Sequence, residues 1–165
     1  MALGKGKFSN KSVKIVIFKK HVEMKKMLDK KLNNNNAELL LFHGTRTNDP
    51  ALIYNGEKGF DNRYCSSGMW GIANYFAQNA SYSSNYAYTD NGTRKMILAR
   101  VLVGECIHIM PNDSSLRKPP FKTSSSSQLG FQEEYDSVSG ETGGSKVYMI
   151  YENGRAYPEY LISYQ

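Results

Sequence analysis

The stretch "GMWGIANYFAQNASYSSNY" at 68–86 decides how this chain is read. It gathers aromatics, glycines and serines without a single charged residue. Tyr75-Phe76-Ala77 reads as a short strand, and 79–86 as a short helix rich in Ser and Tyr. Such a segment is either a piece of core, a low-complexity patch or the wall of a pocket. Tyrosine suits a pocket for a flat polar ligand, because its ring is apolar and its hydroxyl is not. A β-rich core uses the same residues.

Working outward, the chain has 165 residues, 40% hydrophobic and 22% charged. That suits one globular domain with a core of its own. Cys65 and Cys106 have neither metal-ligand spacing nor a pairing pattern. With no signal peptide and no long apolar run, an intracellular setting, cytoplasmic or nuclear, is expected, with no membrane partner and a monomeric chain. Net charge is +6 and uneven: residues 1–33 hold ten Lys against Glu23 and Asp29. This basic end reads as a solvated helix face behind a flexible tail at 1–12. Contact with nucleic acid is the weaker reading, since no aromatics interleave the lysines.

The β-branched run 13–18 predicts a strand, and 22–32 a helix with Met24, Met27, Leu28 and Leu32 on one face. Asn33–Asn36 predicts a loop. Leu39–Phe42 is a continuous apolar run, typical of a central strand. Asp49-Pro50 starts a short helix through Tyr54, since Asp caps and Pro fits the first turn. Residues 61–68 form a polar loop, 95–103 the strongest strand, and 111–130 a Pro- and Ser-rich loop. "AYTDNGTRK" at 87–95 reads as a hairpin turn. Residues 146–151 and 160–164 are the last strands, with a turn at Asn153-Gly154. Many short strands and few helices argue for an α+β domain dominated by antiparallel sheet, spanning 13–165.

Chemistry-bearing patterns are sparse. No Gly-x-Ser-x-Gly, P-loop or dinucleotide glycine motif occurs, and His21 and His108 have no metal-ligand partners at helical spacing. His43 ends an apolar strand and is followed by Gly44, which lets a ligand approach the backbone. Taken alone, it is a structural residue or a functional one.

Five ordered blocks carry a resemblance: "LFHGTR" at 41–46, "GMWGIANYFAQNASYSSNYA" at 68–87, "MILARVLVGE" at 96–105, "YDSVSG" at 135–140 and "YMIYENGRAYPEYLISYQ" at 148–165. Together the chain resembles the catalytic domain of the poly(ADP-ribose) polymerase family, the diphtheria-toxin-like ADP-ribosyltransferases, with a tankyrase-like last block. The resemblance implies two packed, mainly antiparallel sheets with short flanking helices around an NAD cleft. NAD is then the substrate, and no metal is implied. Tyr75 and Tyr86 would sandwich the nicotinamide, while Ser83 and the Gly44 backbone would hold its carboxamide. His43 would bond a ribose hydroxyl, with Thr45 and Tyr64 as further contacts.

The third position of the family's His-Tyr-Glu set falls on Val147, which cannot accept a hydrogen bond. Family members with an apolar residue there transfer single ADP-ribose units or are inactive. Ala73 stands where many members have Gly, and it is tolerable only with a negative φ. The tankyrase-type zinc loop is missing. The expectation is a mono-ADP-ribosyltransferase acting on a protein side chain, itself included. The alternatives are a catalytically silent NAD- or ADP-ribose-binding module and a polymerising enzyme whose third residue is not Val147. A nucleic-acid modifier rests only on the lysines.

Overall fold

The computed structural model describes residues 11–33, 37–123 and 132–165. The chain opens with helix α1, Lys11–Lys31. This overturns the strand expected at 13–18. Ile17, His21 and Leu28 recur on one helical face, and all three are buried. A β-branched residue in a helix costs a few tenths of a kcal/mol. Burying Ile17 and Leu28 gives back roughly 1.5–3 kcal/mol each, so packing wins over local preference. Asn33, at φ 50, ends the helix in the left-handed region. Residues 1–10 of the expected tail lie outside the described residues. So do 34–36 of the asparagine loop and 124–130 of the Ser-rich loop.

Ten strands follow: β1 Glu38–His43, β2 Ser67–Gly68, β3 Gly71–Ile72, β4 Asn74–Ala77, β5 Tyr88–Asp90, β6 Thr93–Leu102, β7 Cys106–His108, β8 Ser137–Thr142, β9 Ser145–Ile150 and β10 Ala156–Tyr164. Two short helices, α2 Ala51–Tyr54 and α3 Ala80–Ser84, lie between them. The Asp49 carboxylate accepts from the Ala51 N–H at 2.8 Å, so the helix start read from Asp49-Pro50 stands. The polar loop at 61–68 contains a 3-10 turn, Asn62–Tyr64, and β2. Asn91 (φ 47) and Gly92 (φ 77) turn the β5–β6 hairpin as expected.

The main sheet runs β10-β6-β1-β4-β9-β8-β7, with β5 on β6, and only β7–β8 is parallel. Its two halves meet at one register pair, Phe42↔Ala77, between β1 and β4. This narrow joint lets the halves fold toward each other. Leu41, Ile97, Ala99 and Val101 from one half then share a cluster with Phe76 and Ile150 from the other. The opposite face of β4, β9 and β8 carries a second cluster of Trp70, Ala73, Ala77, Val138, Val147 and Met149. The α+β reading with two mainly antiparallel layers holds. Strands β7 and β8 have no counterpart in the expectations from sequence. Ser137, Ser139 and Gly140 are poor strand formers, and pairing with β7 and β9 together with full burial makes them one.

Candidate active site

The site lies where β1 and β4 part company. β1 ends at His43, paired with Ile97, and the backbone then turns away through Gly44. His43 is enclosed by Phe60 and Phe76, with ring centroids 5.1 and 5.3 Å away. Its Nδ1–H donates to the Tyr75 carbonyl oxygen at 2.7 Å. That bond fixes the tautomer: Nδ1 carries the proton and Nε2 is left as an acceptor. Burial lowers the His43 pKa, and the Tyr75 bond only partly offsets it, so the ring is neutral near pH 7.

Tyr75 is held from both ends. Its hydroxyl accepts from the Trp70 N–H at 2.8 Å and donates to the Gly71 carbonyl at 2.9 Å. Burial pushes its pKa up to about 12, so it stays a phenol. With the hydroxyl engaged, the ring face is what Tyr75 offers a ligand. Ala73, beside it, is buried and absent from the positive-φ residues, so it sits there without strain.

Across from Tyr75 lies α3, and Ser83 on it is buried. Its hydroxyl donates to the Phe42 carbonyl at 3.0 Å, which leaves the lone pairs of Oγ for an amide N–H. Gly44 explains how closely these two segments approach. A Cβ there would lie 2.4 Å from the Tyr86 carbonyl oxygen and 2.6 Å from that of Ser83. Only glycine fits there. Tyr86 is packed at 5.3 Å against Tyr82, and its hydroxyl donates to the Tyr82 oxygen at 3.4 Å. The Arg46 guanidinium lies 4.4 Å from the Tyr86 ring centroid.

Val147 lies on β9 within the second apolar cluster. It pairs with Ala77 on β4 and Gly140 on β8, and it is 1% exposed. Tyr75 and Tyr82 both pack on the cluster that contains it. The nearby acids are turned away. Glu141 pairs with Lys146, one residue out of phase with Val147 and so on the opposite face. Glu152 forms an ion pair with Arg155 at 2.7 Å.

The structure thus links His43 to Tyr75, Ser83 to the end of β1 and Gly44 to Tyr86 and Ser83, while Val147 lies in the cluster on which Tyr75 packs. Two further candidates from the sequence are Thr45 and Tyr64. The Thr45 hydroxyl donates to the Asn48 carbonyl at 2.6 Å within its own turn, and Tyr64 is 78% exposed. Two residues escaped the sequence reading. Arg46 and Tyr82 both lie inside quoted blocks, yet nothing in their spacing announces that they pack on Tyr86. Among the described residues, no group of three or more His, Cys, Asp or Glu is placed to hold a metal.

Comparisons with known proteins bear on this arrangement. The poly(ADP-ribose) polymerase catalytic domain, as a family, matches residues 4–165. A probable poly(ADP-ribose) polymerase of Dictyostelium discoideum is 38% identical over 149 residues, covering 87% of this chain and 39% of that protein. Protein mono-ADP-ribosyltransferase PARP12 of Mus musculus is 35% identical over 129 residues, covering 77% of this chain and 17% of that protein. Protein mono-ADP-ribosyltransferase PARP14 of Homo sapiens is 31% identical over 146 residues, covering 86% of this chain and 8% of that protein. The chain therefore spans about two-fifths or less of the length of these relatives. With a family match over nearly its whole length, the chain belongs to the poly(ADP-ribose) polymerase catalytic domain family.

Proposed function

We propose that this chain transfers a single ADP-ribose unit from NAD to a protein side chain and releases nicotinamide. The observation that carries the reading is Val147, buried in an apolar cluster beside Tyr75, with Glu141 and Glu152 facing elsewhere. Several relatives named as mono-ADP-ribosyltransferases support it.

In this reading His43 Nε2 accepts a hydrogen bond from a ribose hydroxyl. The Gly44 amide pair and Ser83 Oγ hold the carboxamide, which needs both donors and acceptors in fixed geometry. Tyr75 and Tyr86 stack on the nicotinamide from two sides. The bond from C1′ of the ribose to the ring nitrogen then breaks. Its electron pair neutralises the pyridinium, and C1′ becomes oxocarbenium-like. A nucleophile on the acceptor attacks C1′. Catalysis comes from orientation in the cleft rather than from a covalent intermediate. No carboxylate beside Val147 can deprotonate the acceptor. An Asp or Glu side chain, already ionised at pH 7, therefore suits the site best.

Incubation of the pure protein with labelled NAD, read by intact mass, tests this. Discrete additions of single ADP-ribose units, lost in His43→Ala and Tyr75→Ala, are expected. A ladder of long polymer would sink the reading. No label at all, with NAD still raising the melting temperature, would mark a silent binding module instead.

A further inference from the structure

Arg46 stacks on Tyr86, and three observations fix it there. Its N–H donates to the Tyr86 carbonyl at 2.7 Å. Its φ is 55, a left-handed conformation that is uncommon for a bulky residue. Its guanidinium lies 4.4 Å from the Tyr86 ring centroid. Tyr82 meets the same ring at a tilt of 57°. One face of Tyr86 is thus covered by a cation, and in the proposed reading the nicotinamide takes the other. Among the described residues, no carboxylate lies within ion-pair distance of Arg46, so its charge is not cancelled by a partner.

We infer that Arg46, acting through Tyr86, sets the charge preference of the nicotinamide subsite against the cationic ring and in favour of the neutral leaving group. This rests on the reading of Tyr75 and Tyr86 as the nicotinamide walls. An aromatic face attracts a cation through its quadrupole. A guanidinium on the far face of the same ring draws on that quadrupole and opposes a second cation on the near face. Nicotinamide is a pyridinium while joined to ribose. It is neutral once the C1′–N1 pair has passed to the ring nitrogen. Arg46 therefore weakens the ground state more than the transition state, which is the difference that accelerates a chemical step. Arg46 is a positioning residue, since it touches Tyr86 and not the reacting atoms. It is exposed, so the effect is modest.

The test compares equilibrium binding of nicotinamide and 1-methylnicotinamide, a neutral and a permanently cationic ring of nearly the same shape. Wild type, Arg46→Met, Arg46→Gln and Arg46→Lys are each titrated with both. Removing the charge is expected to shift the ratio of the two Kd values about threefold toward the cation, the scale of an exposed cation–π contact. Arg46→Gln should move it in the same direction, and Arg46→Lys should keep the wild-type ratio. In turnover with NAD, Arg46→Met should lower KM and kcat together. A merely structural role for Arg46 would change both affinities alike and leave the ratio untouched, which overturns the inference. Equal tightening of both ligands overturns it too, because Arg46 would then occupy the stacking face itself. Wild-type protein that binds neither ring would bring down the reading of the site, and this inference with it.

Discussion

The His43 ring and the Tyr75 backbone are joined across the seam of the sheet by one 2.7 Å hydrogen bond, Nδ1–H to carbonyl oxygen. This bond ties the end of β1 to the middle of β4, beside the only register pair between the two strands. Two site residues 32 positions apart in sequence are thereby held in one geometry.

The neutral state of His43 makes stability fall in acid. Its pKa is lowered in the folded protein from 6.5, chiefly by burial, so the unfolded chain binds the extra proton more readily. The contribution of the neutral ring is complete above 6.5 and is lost as pH falls from there through the lowered folded value. His43→Gln keeps a side-chain donor without the titration. Its melting temperature should decline less than that of wild type between about pH 7 and pH 5. An identical decline in both proteins would contradict the assignment.

Val147→Glu places a carboxylate between Ala77 and Gly140 with no polar partner. A loss of about 3 kcal/mol or more is expected, measured by urea unfolding, together with a raised pKa for the new acid. If the variant is as stable as wild type, the surroundings of Val147 are wetter than its burial implies. Val147→Ile, which keeps the apolar character but adds a methylene, should cost about 1–3 kcal/mol and leave no group to titrate.

Gly44→Ala should damage the site more than its size suggests. The added methyl would press on the Tyr86 and Ser83 carbonyls, which are backbone and cannot swing aside. Destabilisation of about 1–3 kcal/mol is expected, with loss of nicotinamide binding at temperatures where the variant is still folded. Binding that survives unchanged would mean that the 44–46 turn moves freely relative to α3.

Asp136 anchors α1 to the far half of the sheet. Its carboxylate is buried and receives Lys31 Nζ at 3.0 Å, Arg155 at 3.4 Å and the Glu105 N–H at 2.8 Å. Burial alone would raise its pKa. The Glu105 N–H, Lys31 and Arg155 outweigh that and hold it below 3.8. Its contribution is therefore present above 3.8 and is lost as pH falls through the lowered value. Asp136→Asn should cost about 1–3 kcal/mol, since it removes the buried carboxylate shared by Lys31 and Arg155, which then keep only Glu133 and Glu152 at their exposed ends. Calorimetry near neutral pH reads this directly, and a loss below about 0.5 kcal/mol would show the network to be ornamental.

Much of the architecture was legible in the chain itself. The apolar run at 39–42, the Asp49-Pro50 helix start, the Asn91-Gly92 hairpin and the long strand at 93–102 are set by local chemistry: burial period, capping and turn residues. The residues at 68–86 left core, low-complexity patch and pocket wall open, and only the family resemblance chose the pocket wall and pointed to Val147.

Tertiary structure decided what local chemistry leaves degenerate. The 13–18 run became helix because Ile17 could be buried on the inner face of α1. Ser137–Thr142 became a strand because β9 and β7 stood ready to pair with it on either side. Gly140 looks like any turn glycine in sequence, yet it is the residue on which the Trp70 indole lies, with a virtual Cβ only 2.1 Å from the ring. Arg46 and Tyr86 are 40 positions apart, and no periodicity links them; the fold alone stacks one on the other. Sequence fixes which residues can form a helix, a strand or a turn, because those preferences act over a few neighbours. Which side chains meet across a sheet depends on register and burial, which exist only once the whole chain has packed.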